Sequence, residues 1–322
     1  MSVLTILEQA KRRNLGNTAV IAELLNEYNE LTIDAPTTEA NDVFSHLYTK
    51  RVALPTIGYR NINEGATKSS SKTVQAREPI TLLEVWAEID EQLIDHEPSP
   101  AAARQNELIT FIEAGAQAFA EKVFYGKTSS DARQFDGLAT RYGALASDNV
   151  TAPAAPGTTD DVQSSVWMIE WGLDTVHLVY PKGASTVGLS EQDMGKMRVT
   201  DSSNNPFMAY VNQMKWEYGL VVKDDRAVQR ICNLETADDT KNFVAAGNVR
   251  TLVKAKNQLT RMGRNAVIYC NRETKATFDI YAMEKANGFY YQENITGGPL
   301  TTFQGIPIRM VEQLLNTEAV LS

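Results

Sequence analysis

The sequence has few of the residues that build disulfide frameworks and metal sites. Among 322 residues there are two cysteines and three histidines. Cys232 and Cys270 form no CxxC pair, and His46, His96 and His177 lack the spacings typical of zinc ligands. We therefore expect two buried free thiols in a reducing compartment, no metal and no other cofactor.

Enzyme motifs and long apolar runs are absent as well. No GxSxG, GxxxxGK[ST] or GxGxxG motif occurs, and no pair of carboxylates stands out as an acid and a base. No run of about 18 apolar residues is present to span a membrane. The first residues do not have the pattern of a signal peptide. A long chain without recognisable chemistry favours a structural protein over an enzyme.

Composition places the chain among globular proteins of acidic charge. Hydrophobic residues make up 43% of the sequence, charged residues make up 22%, and the net charge is -9. These values argue against wholesale disorder and against a strongly basic nucleic-acid binder. The length allows one large domain or two intermediate ones with a substantial core.

A long amphipathic helix is predicted over residues 99–125. Ser99 and Pro100 form a typical helix start, and Gly126 supplies a stop. An apolar stripe at helical spacing runs through Leu108, Phe111, Ile112, Gly115, Phe119 and Val123. The helix would be roughly 40 Å long. It would act as the spine of a domain, although an ordinary core helix has the same pattern.

Residues 1–80 predict two extensions of the chain. Residues 1–50 contain two short helical patterns, the second with a stripe that includes Leu24 and Tyr28. Such helices bury little by themselves, so we expect an arm that packs on another element, such as a neighbouring subunit. Residues 51–80 predict a long hairpin, with extended stretches at 52–57 and 72–80 around a polar tip. The hairpin is either a mobile surface loop or a second arm that lies over a partner.

Charge along the hairpin and the following strand is segregated by sign. Residues 59–77 of the hairpin carry one acid, Glu64, against four bases, which are Arg60, Lys68, Lys72 and Arg77. Residues 78–103 contain seven acids and no Lys or Arg, and they include the predicted docking platform of Glu84, Glu88, Asp90 and Glu91. A basic projection beside an acidic surface is self-complementary between copies. A solvated run of charges is the alternative.

The remaining sequence predicts alternating strands and helices. We expect a linker at 151–159 and strands at 80–89, 175–180, 207–216, 220–223 and 266–270. Helices are predicted from Asp239 or Thr240 to Gly263 and from Asn271 to Met283, followed by a short hairpin at 303–308.

This order of elements resembles the major capsid proteins of tailed bacteriophages, which have the Hong Kong phage-type shell fold. Local strings are similar to the capsid proteins of short-tailed, epsilon-type phages. These strings are Trp171-Gly172 with Val179-Tyr-Pro-Lys-Gly183, Tyr218-Gly-Leu-Val-Val-Lys-Asp-Asp-Arg226, and Phe303-Gln-Gly-Ile-Pro-Ile-Arg309. The resemblance implies an α+β fold with an N-terminal arm (1–50), an extended hairpin loop (51–80), a peripheral domain with the spine helix (81–160), and an axial domain plus returning peripheral strands (161–322).

The resemblance also implies a function and partners. The chain would self-assemble through pentamers and hexamers into an icosahedral head shell that encloses phage DNA. It would need a separate scaffold protein and a portal, with an optional decoration protein. Contact with packaged double-stranded DNA would be weak and non-specific, with Lys11, Arg12 and Arg13 available to DNA or a neighbour. Assembly would take place in the host bacterial cytoplasm.

Two further points follow from the resemblance. We find no acceptor motif for a covalent crosslink from Lys68 or Lys72, so none is expected. The alternatives are a bacterial nanocompartment shell of the same fold and, in a different class, a cytoplasmic α+β enzyme.

Overall fold

The computed structural model describes residues 29–96, 99–284, 289–293 and 299–322. Outside these ranges lie the predicted contacts of the N-terminal arm, Lys11, Arg12, Arg13, Leu24 and Tyr28. Within the described ranges, no helix is both long and apolar enough to cross a membrane.

The described residues form a mixed α and β structure. The helices are α1 (Glu30–Asp34), α2 (Glu91–Asp95), α3 (Pro100–Tyr125), α4 (Leu138–Arg141), α5 (Ala246–Gln258) and α6 (Arg272–Glu284). The first strands are β1 (Thr37–Glu39), β2 (Ser45–Ala53), β3 (Lys72–Pro79), β4 (Thr81–Asp90), β5 (Val150–Thr151), β6 (Gln163–Glu170) and β7 (Val176–Tyr180). The others are β8 (Leu189–Thr200), β9 (Pro206–Val222), β10 (Val228–Glu235), β11 (Ala266–Cys270), β12 (Phe289–Glu293), β13 (Pro299–Phe303) and β14 (Ile306–Met310).

Helix α3 confirms the predicted spine. Pro100 occupies its first turn, where a missing N–H has no cost, and the helix ends at Gly126, whose N–H donates to the Lys122 carbonyl at 2.9 Å. The predicted stripe is on the inner face, where Ile112, Phe119 and Val123 are fully buried. A side chain at position 126 would lie 2.5 Å from the Phe135 carbonyl oxygen, so this turn also requires glycine for space.

The first sheet has the strand order β1-β7-β9-β4, with β8 paired to β9. Strand β9 is 17 residues long; its first part pairs with β4 and β8, and its last residues pair with β7. The sequence predicted two strands here, at 207–216 and 220–223, and Gly219 lies between them. Instead, the absent Cβ lets the strand pass close to the hairpin, since a Cβ would lie 2.8 Å from the Pro79 oxygen.

Helix α3 packs on this sheet through aromatic rings. Phe119 stacks on Trp216 with 4.4 Å between ring centroids and meets Tyr218 edge-on at 4.9 Å. All three side chains are fully buried. The sheet and the spine helix therefore share one continuous core, which also includes Trp167 and Tyr269 of the second sheet.

The second sheet has seven strands in the order β12-β13-β14-β11-β6-β10-β5. Strands β6 and β11 are buried along their whole length. Helix α5 packs against β10 and α6 against β14, around a core that contains Phe243, Leu252, Phe278 and Ile308. The start of α6 follows the prediction, because the Asn271 side chain caps it by accepting the Thr274 N–H at 2.7 Å. The predicted linker at 151–159 begins in β5, and the Gly157 N–H donates to the Asn233 carbonyl at 2.9 Å.

The predicted start of α5 at Asp239 or Thr240 was wrong. The helix begins at Ala246 because side chains before it bind the backbone in turns. Asp238 accepts the Thr240 N–H at 2.9 Å, and Asn242 accepts the Val244 N–H at 2.8 Å. Such local bonds offer the chain an alternative to helix.

Strands β2 and β3 form a separate antiparallel ribbon, the extended hairpin. Its first strand begins at Ser45 and ends at Ala53, so the predicted extended stretch at 52–57 is mostly loop. A two-stranded ribbon is marginally stable alone. Its attachment to the body therefore determines how it projects.

Candidate assembly surfaces

The tip of the extended hairpin, residues 54–71, is exposed throughout. It nevertheless carries large apolar side chains: Ile57 is 87% exposed and Ile62 is 92% exposed, and Leu54 and Tyr59 also face solvent. Scattered exposed apolar residues are normal, but several on one projection mark an interaction site. The sequence analysis did not single out these four residues, because it placed 52–57 in an extended stretch and described the tip after it as polar.

The structure places the predicted hairpin charges on and below this tip. Arg60, Lys68 and Lys72 are exposed, and Arg77 is exposed within 3.9 Å of Asp42. Glu64 stabilises the turn at the tip. Its side chain accepts the Asn61 N–H at 3.2 Å, and its backbone carbonyl accepts a hydrogen bond from Arg60 Nη1 at 3.1 Å. The tip thus combines apolar contact area with a net positive charge.

The predicted acidic platform is largely occupied by partners within the chain. Glu84 accepts the Trp86 ring N–H at 3.0 Å and is bonded by Gln213, with Lys215 Nζ at 3.8 Å. Asp90 caps α2 by accepting the Gln92 N–H at 2.8 Å. Glu91 accepts a hydrogen bond from Lys196 Nζ at 2.5 Å. Three of the four platform carboxylates are therefore engaged. The fourth, Glu88, is exposed on β4.

A groove lies at the end of this platform, beside helix α2. Its volume is about 590 Å³, and it is lined by Asp90, Glu91, Gln92, Leu93, Phe207 and Met208. Leu93 and Met208 are exposed, at 68% and 43%. We call this feature the α2 groove. It combines an apolar floor with two carboxylates at its edge.

The base of the hairpin rests on β7 and β9 in a contact that we call the hairpin seat. Tyr48 packs there in a small apolar cluster with Ala40, Val179 and Val221. The Tyr48 hydroxyl lies 3.0 Å from both Glu78 Oε1 and the Val222 carbonyl. Burial, reinforced by Glu78, raises the pKa of Tyr48, so the phenol stays protonated.

Two ion pairs flank the seat. Arg141 of α4 donates to both carboxylate oxygens of Glu78, and Lys50 binds Asp225. Beside the second pair lies a cleft of about 720 Å³ between β2 and the turn after β9.

A second buried pair ties the C-terminal segment to the second sheet and to the spine helix. Arg230 Nη2 donates to Glu318 Oε2 at 2.9 Å, and both side chains are buried. The Tyr125 hydroxyl at the end of α3 donates to Glu318 Oε1 at 2.6 Å. The spine helix, β10 and the C-terminal segment therefore meet at one carboxylate.

The described residues hold little that resembles a catalytic centre. Both cysteines are free and buried, as expected, and burial raises the pKa of the Cys232 thiol to about 11. Within the described ranges no group of three His, Cys, Asp or Glu side chains is placed to hold a metal ion. One juxtaposition was not foreseen from sequence: the rings of His46 and His177 lie 6.2 Å apart.

Comparison with known proteins decides between the remaining interpretations. The sequence matches the family model of major capsid protein GP7 over residues 13–322. The chain belongs to this capsid protein family. The fold and role predicted from the resemblance are confirmed: the protein is a subunit of a bacteriophage head shell, in which many copies assemble in the virion capsid.

Solved structures agree with this assignment. The capsid subunit is similar to a chain in the structure of bacteriophage epsilon15, with 27% identity and a TM-score of 0.62 over 89% of this chain and 88% of that chain. A chain of the bacteriophage JBD30 capsid shares the fold, with 12% identity and a TM-score of 0.50 over 87% and 89% of the two chains. No curated protein sequence matches the subunit.

Proposed function

We propose that the capsid subunit closes its shell by laying its hairpin tip over a neighbouring subunit within pentamers and hexamers. The observation that supports this most strongly is the set of exposed apolar side chains on the tip, Leu54, Ile57, Tyr59 and Ile62. These side chains have no role in the fold of the single chain. Burying them against a neighbour provides a hydrophobic driving force for assembly.

The acceptor on the neighbour is the α2 groove. Leu93, Phe207 and Met208 offer apolar contacts of a kind that suits Ile57 and Tyr59. Asp90 places negative charge beside the groove, opposite in sign to Arg60, Lys68 and Lys72 of the tip, whereas Glu91 is already paired with Lys196. Glu88 extends the acidic surface along β4. Complementary charge guides docking and sets its register more than it adds affinity.

The remaining parts of the chain complete the shell. The arm predicted over residues 1–50 contacts neighbours through Leu24 and Tyr28, with Lys11, Arg12 and Arg13 meeting a neighbour or DNA. Its last residues, from Ser45, belong to strand β2 of the hairpin. Residues 81–160 form the peripheral domain, and residues 161–322 form the axial domain with returning peripheral strands.

The role of the subunit is structural and not catalytic. Assembly takes place in the host bacterial cytoplasm with a separate scaffold protein and a portal, and a decoration protein is optional. The packaged double-stranded DNA touches the wall weakly, because the net charge of -9 repels phosphate.

The test uses full-length protein assembled with its scaffold and scored by sedimentation and negative-stain electron microscopy. The variants Ile57→Ser/Tyr59→Ser and Lys68→Glu/Lys72→Glu should fold normally and yield few closed shells. Raised salt should weaken wild-type assembly. The control, Lys127→Glu/Lys182→Glu, reverses two exposed lysines outside the hairpin and should assemble normally. Normal shells from both tip variants would refute docking through the tip.

A disulfide experiment tests the groove itself. A variant with Tyr59→Cys and Leu93→Cys should form crosslinked multimers when assembled shells are oxidised, whereas each single replacement should not. The natural cysteines are buried and do not interfere. Shells that form but give only monomers after oxidation would exclude the α2 groove as the acceptor.

A further inference from the structure

The hairpin seat contains a buried histidine whose ring nitrogens are poorly satisfied. His177 is the second residue of β7 and is fully buried. Neither ring nitrogen makes a well-formed hydrogen bond among the described residues, although the backbone of Gly172 lies close enough to favour the charged ring. His46 of β2 faces it with ring planes at 87°, and its Nδ1 is also unpartnered. Even a neutral imidazole carries one donor and one acceptor, so this arrangement is costly inside a protein. Such a site is poorly suited to an additional charge.

The charges around the pair are predominantly unfavourable to protonation. Lys223, directly after β9, lowers the pKa of both histidines, although burial is the larger cause. Burial and Lys223 together bring the pKa of His177 to about 3. Glu78 of β3 acts in the opposite direction on His46, but its carboxylate is already held by Arg141.

Three further charged groups near the seat are also engaged. Lys50 of β2 pairs with Asp225 at the rim. Glu39 of β1 accepts the Gly183 N–H at 2.8 Å. The carboxylates of Glu78, Asp225 and Glu39 are therefore already engaged by other groups.

We propose that the His46–His177 pair makes the hairpin seat an acid-sensitive latch. Protonation releases the extended hairpin from β7 and β9 without unfolding the rest of the subunit. The seat is suited to this because its apolar cluster is small, with Ala40, Tyr48, Val179 and Val221 at its centre. Both histidines lie in that contact, one on each side, so separating the two surfaces hydrates both rings.

Linkage gives the size of the effect. Once released, each imidazole titrates near its ordinary pKa of about 6.5, whereas the seated His177 stays neutral. Well below pH 6.5 each further pH unit therefore shifts the equilibrium toward release by about tenfold for this residue. Relative to pH values well above 6.5, the shift is about 30-fold at pH 5. His46, which is half-buried, adds a smaller factor in the same direction.

The consequence for assembly rests on the proposed docking of the hairpin tip, whereas release itself does not. If the tip reaches its neighbour at an angle set by the seat, acid would change that angle. The two proposals are separated by measuring release in unassembled subunits and shell formation in a parallel sample.

Hydroxyl-radical footprinting of the full-length subunit measures release, because it oxidises side chains according to their exposure. Wild-type protein at about pH 7.5 should show Tyr48 as protected as Phe119 of the core. At about pH 5, oxidation of Tyr48 should rise several-fold while Phe119 stays protected. The double variant His46→Gln/His177→Gln should lose this pH response. The single variant His46→Gln keeps His177 and should retain the larger part of the pH response. It is the control for a loss of response caused by disturbed packing at position 177.

Three outcomes would overturn the latch. Tyr48 oxidation that does not change with pH would exclude release. An equal rise in the wild type and the double variant would exclude the histidines as its cause. A parallel rise at Phe119 would show global acid unfolding instead of a local event.

Discussion

Arg141 donates both terminal guanidinium nitrogens to Glu78, with Nη1 2.8 Å from Oε1 and Nη2 2.6 Å from Oε2. The pair joins α4 of the body to β3 of the extended hairpin. It is mostly buried, with the Arg141 and Glu78 side chains 19% and 10% exposed. A bidentate ion pair in this position fixes the orientation of the hairpin base and also attaches it to the body.

Removing one member of this pair should be costly. Arg141→Met leaves the Glu78 carboxylate buried without its partner, so the free energy of unfolding of the unassembled subunit should fall by about 3 kcal/mol. Urea denaturation gives this value. The matched control is Arg133→Met, whose exposed ion pair with Asp131 should be worth less than about 1 kcal/mol. If the two variants lost the same free energy of unfolding, burial of the Arg141–Glu78 pair would not add to its contribution to stability.

The aromatic contact of the spine helix should dominate the stability of the first core. Phe119→Ala removes the ring stacked on Trp216 and should lower the free energy of unfolding by about 3–5 kcal/mol. Gln117→Ala, on the exposed face of the same helix, should change it by less than about 0.5 kcal/mol. Thermal or urea unfolding distinguishes these outcomes, and a small loss for Phe119→Ala would contradict the packing described.

Two glycines should respond to alanine in opposite directions. At Gly115 a Cβ would lie 3.1 Å from the flexible end of Met214, which can move, so the gain in helix propensity of up to about 1 kcal/mol should prevail. At Gly188 the backbone has φ +78° and a Cβ would lie 2.3 Å from the Glu217 carbonyl oxygen. Gly188→Ala should therefore destabilise the subunit clearly. The order of the two melting temperatures checks this, and a more stable Gly188→Ala would contradict it.

His177 should make global stability depend on pH in a defined window. Its pKa is lowered to about 3 in the folded chain, so the unfolded chain binds more protons between about pH 3 and 6.5. The free energy of unfolding should therefore fall as pH falls below 6.5, by at most about 1.4 kcal/mol per pH unit from this residue. Comparing wild type with His177→Gln isolates the contribution. Their difference in unfolding free energy should be constant above about pH 7.5, and a difference constant at all pH values would contradict the assignment.

The elements that could be predicted from the sequence are those whose position depends on residues close together in the chain. The stripe from Leu108 to Val123 and the cap at Asn271 are contained within single helices, so both helices could be placed in advance. The start of α5 failed because Asp238 and Asn242 form side-chain turns that compete with a helix. The predicted length of β9 was wrong, because a glycine such as Gly219 indicates the end of a strand unless the hairpin packed beside it is known.

The assembly surfaces depend on contacts between distant segments, and these were harder to predict. Lys196 of β8 pairs with Glu91, and Lys215 of β9 lies near Glu84. Both lysines are far from these acids in the sequence. A run of acids therefore looked free when most of it was paired. The meeting of His46 and His177 was hidden for the same reason, since only the packing of the hairpin on β7 brings them together.

Strand β9 has a mechanical consequence for a shell. Over roughly 55 Å it is bonded first to β4 and β8 and then to β7, beneath the hairpin base. Tension along the strand would load many hydrogen bonds at once in shear, instead of opening them one after another. One uninterrupted backbone therefore resists stretching between the β4 and β8 part of the first sheet and the hairpin base.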